Sequence, residues 1–359
     1  MIHLHNYWPE IVLATLSFFL CVLFVTLRTR VPRFCGHGLH LSAVQAMHAN
    51  PTPRVGGIAI FGALCLGMFF APMSISDQYQ MFMAPVALLF VVGLLEDLGF
   101  NVSPRRRLLA AASASLLVIL LLGVWIPRIG IPGVDAIVDH WAIGLPLTLL
   151  VTVGIANGFN LIDGVNGLTS FTAIVASVAM SFIAQQAGYT EMIHLLMMVA
   201  AGAFGFFLVN YPLGLIFLGD AGAYTLGFVL SWFGIAVLIN APAVSPWAIL
   251  LTLFWPIADT LLAIYRRFRS KADVSAPDRL HVHQMVMRAL EICILGRKRR
   301  RIANPLTTLV LAPLVIAPPV AGVLLWNQNQ NAFLAVLVFG VLFFASYAAA
   351  PVLIRRFRR

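Results

Sequence analysis

Residues 142–187 read AIGLPLTLLVTVGIANGFNLIDGVNGLTSFTAIVASVAMSFIAQQA, and Asp163 is their only charged residue. Two apolar runs, 142–157 and 167–187, flank a linker of Asn, Gly and one carboxylate. A helix needs about 20 mostly apolar residues to cross a hydrocarbon core, and each run approaches that length. Strands of a membrane barrel would instead alternate over about ten residues, so this stretch predicts two membrane helices joined by a polar turn.

The same reading extends outward. Runs at 8–27, 55–75, 80–96, 107–126, 191–210, 220–239, 246–264, 305–326 and 332–354 bring the expectation to eleven spans. Composition agrees. The 359 residues are 61% hydrophobic and 10% Asp, Glu, Lys and Arg, with a net charge of +10. Soluble domains carry about 25% charged residues, so a soluble enzyme, a disordered chain and a nucleic-acid-binding domain are all excluded. The expected fold is an all-α polytopic membrane protein, a single integral domain over 1–359.

Orientation follows from where Lys and Arg fall. No Lys or Arg precedes the first run, and Arg28, Arg30 and Arg33 follow it. That order is the reverse of a signal peptide and places the N-terminus outside. Alternating from there, 22 of the 23 basic residues fall on the inner side, only Arg128 lies outside, and the C-terminus is cytoplasmic. The positive balance is mainly a topology signal, with anionic lipid or a phosphorylated substrate as secondary readings. Cys21, Cys35, Cys65 and Cys293 are scattered and make no disulfide or zinc case.

Function must come from the few charges. Glu10, Asp77, Asp135, Asp139 and Glu191 map outside and read as solvated loop acids. On the inner side, Glu96-Asp97 ends one run, Asp163 lies between two, and Asp220 opens another within Leu-Gly-Asp-Ala-Gly. Each carboxylate alone could snorkel or cap a helix, and capping is the plain alternative for Asp220. Together they lie at one depth beside Gly or Asn. Adjacent acids repel unless a cation relieves them. Mg²⁺ is held by one or two carboxylates plus substrate phosphates. The glycines suit close approach of a bulky ligand, and Asn157, Asn160 and Asn166 suit a nucleotide. Arg54, in Pro-Thr-Pro-Arg-Val-Gly-Gly, suits a phosphate or anchors the chain at the inner face. His281 and His283 stand beside Arg279 in the long inner loop 265–303, and match pyrophosphate oxygens better than zinc, since no Cys or third His accompanies them. Val282, Met285, Val286, Ala289, Leu290, Cys293 and Ile294 follow at helical spacing, which predicts an amphipathic helix along the membrane surface. A transporter is a weaker match, because the charges sit at one interface and the spans read as unbroken.

Pro51-Thr-Pro-Arg-Val-Gly-Gly57, the acidic pair, Asn157-Gly-Phe-Asn-Leu-Ile-Asp-Gly164, Gly219-Asp-Ala-Gly222, Pro256-Ile-Ala-Asp259 and Asp278-Arg-Leu-His-Val-His283 occur in that order. In this the chain resembles the polyprenyl-phosphate N-acetylhexosamine-1-phosphate transferases, the WecA/MraY superfamily, on the branch that starts O-antigen and related surface glycans. The resemblance implies transfer of a sugar-1-phosphate from a UDP-sugar to undecaprenyl phosphate, with Mg²⁺ (or Mn²⁺), releasing UMP. It implies a multi-pass enzyme of the bacterial inner membrane, with UDP-sugar, polyprenyl phosphate and membrane lipid as partners, no nucleic acid, and a homodimer as one allowed assembly. UDP-GlcNAc is the default donor and UDP-FucNAc or UDP-QuiNAc the runner-up. Among other classes a transporter for a lipid-linked intermediate is the alternative. Carried over by motif, Asp220 is the principal Mg²⁺ ligand. Asp97 readies the lipid phosphate or helps hold the metal, and Asn160 and Asp163 are nucleotide and metal-site positions. Arg279, His281 and His283 form a diphosphate loop. Glu96 stands where the family usually has Asp, and Gln284 where many relatives have another His. Direct attack and a two-step route through an aspartyl intermediate both fit these residues.

Overall fold

The runs on either side of Asp163 are helices in the computed structural model, which describes residues 7–35, 52–270, 280–296 and 299–357. In chain order the helices are α1 (Trp8–Leu27), α2 (Gly56–Gly67), α3 (Ser76–Asp97), α4 (Pro104–Leu122), α5 (Asp135–Asp139), α6 (Trp141–Ile162) and α7 (Leu168–Gln186). Then come α8 (Thr190–Asn210), α9 (Gly219–Asn240), α10 (Pro246–Thr252), α11 (Phe254–Ser270), α12 (Val282–Leu290), α13 (Arg300–Leu324) and α14 (Asn329–Phe357). No strand occurs among the described residues. The protein is an all-α polytopic membrane protein.

Each of the eleven apolar runs coincides with a helix or a helix pair, but the number of clear spans is smaller. Among the described residues, eight helices are long and apolar enough to cross a membrane, and nine if α10 and α11 count as one bent span. Helix α2 has only 12 residues, and α4 begins on Arg105, Arg106 and Arg107. The expectation of unbroken spans also fails, because α10 and α11 meet at an angle of 83°. Pro256 explains the break: it has no N–H for the Thr252 carbonyl, and its ring clashes with that carbonyl in a continuous helix.

Helix α9 is the hub. Most of its length is buried, whereas α1 and α14 face largely outward. Its glycines allow close approach. A Cβ on Gly57 of α2 would come 2.7 Å from the Gly222 Cα, and one on Gly93 of α3 would come 2.6 Å from the Ala221 Cα. Small residues at such contacts let membrane helices pack by dispersion, where lipid removes the usual hydrophobic drive. Gly57, Gly93 and Gly222 therefore serve helix packing.

The two ends of the bundle are tied separately. At one end Phe217 N–H donates to the Pro53 carbonyl, Gly56 N–H to that of Phe217 and Gly57 N–H to that of Leu218, joining the Pro-Thr-Pro-Arg run to the start of α9. At the other, Arg128 donates to the carbonyl of Leu238 in the last turn of α9 and to those of Pro242 and Val244 just beyond it. Asp135 also departs from the solvated role expected of it: its Oδ1 accepts from the N–H groups of Ile129 and Gly130 at 2.8 and 2.9 Å and shapes that loop.

Helix α11 reaches into the segment expected as a loop from 265. Beyond it, α12 buries Val282, His283, Met285, Met287 and Leu290. Val282, Met287 and Leu290 join a cluster with Ile162, Leu168 and Phe254, so this face is covered by protein. A π-turn over Glu291–Leu295 then breaks the expected stripe, leaving Ile294 exposed.

Candidate functional site

Asp97 is the last residue of α3 and is almost fully buried. Its two oxygens accept from the Asp220 N–H at 2.8 Å and the Ala221 N–H at 2.9 Å. Asp97 therefore caps α9, satisfying amides that the first turn of a helix leaves without partners. The sequence offered capping as the plain role of Asp220, but the capping carboxylate comes from another helix. Gly219, at φ +75°, makes room: a Cβ there would collide with the Asp97 carboxylate and the Arg54 carbonyl.

With its amide held this way, Asp220 points its carboxylate at three neighbours. Oδ1 accepts from Asn160 Nδ2 at 3.0 Å, Oδ2 pairs with Arg107 Nη1, and Arg54 Nη2 stands 3.9 Å from Oδ1. Arg54 is also 3.9 Å from Asp97 Oδ1, and its side chain keeps 33% exposure. Asn157 Oδ1 accepts from the Tyr224 hydroxyl at 3.1 Å. Four helices and one loop thus bring Arg54, Asp97, Arg107, Asn160 and Asp220 together.

Asp163 lies just past α6, where Thr169 donates to its Oδ1 at 2.9 Å. Burial pushes its carboxyl up to about 6, with the Thr169 hydroxyl and the Arg54 charge pulling the other way. It lies close enough to Asp97 and Arg54 for the charges to interact. Among the described residues no three His, Cys, Asp or Glu stand close enough to hold a metal alone. The donors present, Asp220 and Asp163 carboxylates with the Asn160 amide, are hard oxygens. They fit a cation such as Mg²⁺ that keeps most of its waters and takes substrate phosphates as ligands.

Two expected site residues are placed differently. Glu96 turns to its own loop, where Oε2 accepts from the Val102 N–H. It staples the α3–α4 connection, and no ion pair joins it to the Arg54–Asp220 group among the described residues. His283 is buried beneath the turn after Asp163, with no hydrogen-bond partner on either ring nitrogen. Burial pulls its pKa down to about 4, so the ring is neutral at pH 7. His281 stacks on it at 5.7 Å between centroids and sits 2.6 Å from Asp259 Oδ2. Arg279 lies outside the described residues.

The sequence assigned no site role to Arg107 or to Asp259, although Asp259 stands in one of the ordered motifs. A signal for Arg107 existed. Ser103 and Pro104 fix the start of α4, so Arg105, Arg106 and Arg107 follow at about 100° steps and only one can turn inward. Arg105 and Arg106 are exposed and Arg107 is not. Asp259 stood in the Pro256-Ile-Ala-Asp259 motif, but its role was not legible there, because its partner is 22 residues away.

Residues 79–238 match the glycosyl transferase family 4 model. A probable undecaprenyl-phosphate N-acetylglucosaminyl 1-phosphate transferase of Bacillus subtilis is 28% identical over 244 residues, 68% of each chain. An undecaprenyl-phosphate alpha-N-acetylglucosaminyl 1-phosphate transferase of Yersinia pestis is 28% identical over 249 residues, 67% of each chain. A decaprenyl-phosphate N-acetylglucosaminephosphotransferase of Mycobacterium tuberculosis is 26% identical over 341 residues, 86% of this chain and 81% of the relative.

Proposed function

We propose that this chain, a membrane-embedded phosphoglycosyltransferase with a glycosyl transferase family 4 domain at residues 79–238, moves N-acetylglucosamine-1-phosphate from UDP-GlcNAc to undecaprenyl phosphate. The site faces the cytoplasm in a bacterial inner membrane, and the product starts a surface glycan such as O-antigen. The observation that carries this reading is the convergence of two arginines and two aspartates at the start of α9.

In the reaction a lipid phosphate oxygen attacks the β-phosphorus of the UDP-sugar. The new P–O bond forms as the bond from that phosphorus to the bridging oxygen breaks, and UMP leaves with the electron pair. Negative charge spreads over the non-bridging oxygens, so catalysis is mostly positioning and charge neutralisation. A bound Mg²⁺, held through Asp220 and Asp163, would supply Lewis-acid neutralisation of the diphosphate. Arg54 is the partly exposed cation of the cluster and meets a phosphate. Arg107 pairs with Asp220 and fixes its carboxylate. Asn160 holds the other oxygen of Asp220, and Asn157 faces the nucleotide.

Asp97 supports direct attack. Its side chain has no exposure, and each oxygen already accepts an amide of α9. A carboxylate so enclosed is badly placed to become a covalent aspartyl phosphate, and its task is to aim Asp220. A lipid phosphate near neutral pH is already ionised and needs no strong base.

The test is UMP release by purified protein given undecaprenyl phosphate and a panel of UDP-N-acetylhexosamines. UDP-GlcNAc should give the fastest release, lost with EDTA and restored by Mg²⁺. Preference for UDP-FucNAc or UDP-QuiNAc would replace the donor, and metal-independent release would overturn the assignment to Asp220 and Asp163.

A further inference from the structure

Asp259 lies in α11, three residues after Pro256, and is almost fully buried. A carboxylate enclosed in this way is costly unless its oxygens are satisfied. Both are. Oδ2 lies 2.6 Å from His281 Nδ1, and Oδ1 accepts from the Val282 N–H at 3.2 Å. An ionised carboxylate only accepts, so His281 Nδ1 carries the proton and the ring orientation is set. The ring of His281 stacks on His283, with 14° between their planes. His283 in turn lies against the backbone of Gly164, where a Cβ would collide with Nε2. Gly164 follows Asp163. One continuous line of contact therefore runs from the bent helix to the turn that carries a site carboxylate.

We propose that Asp259 is a positioning residue, which acts through His281 and His283 to hold the Asp163–Gly164 turn in place. The two histidines then brace the site from behind. Both rings are enclosed, with His281 at 4% and His283 at 1% exposure, as a bracing role requires and as direct contact with a diphosphate does not. This rests on the transferase reading for its effect on turnover. The bracing itself can be read without any substrate.

The experiment compares Asp259→Asn, His281→Ala and the double variant in detergent. Hydrogen exchange is followed in peptides covering 161–168 and 280–290, alongside kcat/KM for UDP-GlcNAc. Asparagine keeps the size and one acceptor, so the bundle stays folded. The expected result for Asp259→Asn is faster exchange in both peptides and a loss of about 10–100-fold in kcat/KM, the range typical of groups that orient site residues. In the His281→Ala background the same change should add less than about threefold, since neighbours acting as one unit are not additive. Wild-type exchange in 161–168 for Asp259→Asn would overturn the proposal, and so would losses that multiply fully in the double variant. If wild-type protein released no UMP from any donor, the proposed function would fall, and the exchange data would still decide this one.

Discussion

Asp97, Asp220 and Glu96 show how residues alike in sequence part in structure. Asp97 and Asp220 are coupled through the first turn of α9, and Glu96 serves a loop. Asp97→Asn and Asp220→Asn should each abolish UMP release. Asp97→Asn should also lower the thermal midpoint, because weakening a helix cap costs about 0.5–2 kcal/mol. Glu96→Gln keeps an acceptor for the Val102 N–H, so turnover should stay within about threefold of wild type, as for substitutions outside key features. A dead Glu96→Gln enzyme would return Glu96 to the chemistry. The same scale gives a pH effect. His283 has an ordinary pKa of 6.5, lowered to about 4 in the fold. Between these values the unfolded chain binds a proton that the folded chain does not. Stability from this residue is therefore present above 6.5 and falls as pH drops toward 4. The buried Asp163 carboxyl, raised to about 6, works in the opposite direction over part of this window, so the His283 effect is read as a difference. The midpoint of His283→Asn should gain on wild type as pH falls from 6.5 to 4, and an unchanged difference would assign the effect to other groups. The Asp and Asn motifs were legible in the sequence, because charges in so apolar a chain stand out. The separate tasks of Glu96 and Asp97 were not, since they depend on which way each side chain leaves the end of α3.

At the scale of elements, α9 carries the architecture. An acid from α3 caps its N-terminus, and Arg128 closes its C-terminus onto three carbonyls within 2.9 Å. Both charges complement the helix dipole, so the two ends of one buried helix are fixed by residues distant in sequence. Its approach to α2 depends on Gly57 and Gly222. Gly57→Ala should therefore lower the thermal midpoint, since overpacking a tight contact costs about 1–3 kcal/mol. A loss of UMP release should accompany it, because Arg54 lies only two residues before the start of α2. An unchanged midpoint would show that the α2–α9 contact is looser than drawn. The glycines were visible in the sequence beside the carboxylates. Their purpose was not, because a glycine at a ligand and a glycine at a helix contact look the same in one chain. The bend at Leu253 was likewise marked by Pro256, but its 83° angle and the turn of Asp259 toward His281 follow from packing.

For the whole molecule, the clustering of basic residues predicts direction. The ends that carry Arg54 and Arg107 should face the cytoplasm, as should the C-terminus near Arg356. A fluorescent protein fused at the C-terminus should therefore glow in bacterial cells, and alkaline phosphatase fused there should be inactive; the opposite pair of results would invert the topology. The sequence by itself determined that the chain is a helical membrane protein and which reaction class its motifs resemble. Those properties follow from composition, period and order along the chain, and they survive small errors in helix boundaries. Tertiary structure alone decided the partners. It joined Asp97 to the amides of α9, Arg107 to Asp220, and Asp259 to the histidines that lie beneath Gly164. Those pairings depend on rotation of each helix about its axis and on close packing at glycine contacts. Both are set by the whole bundle at once, and neither is written in any local stretch.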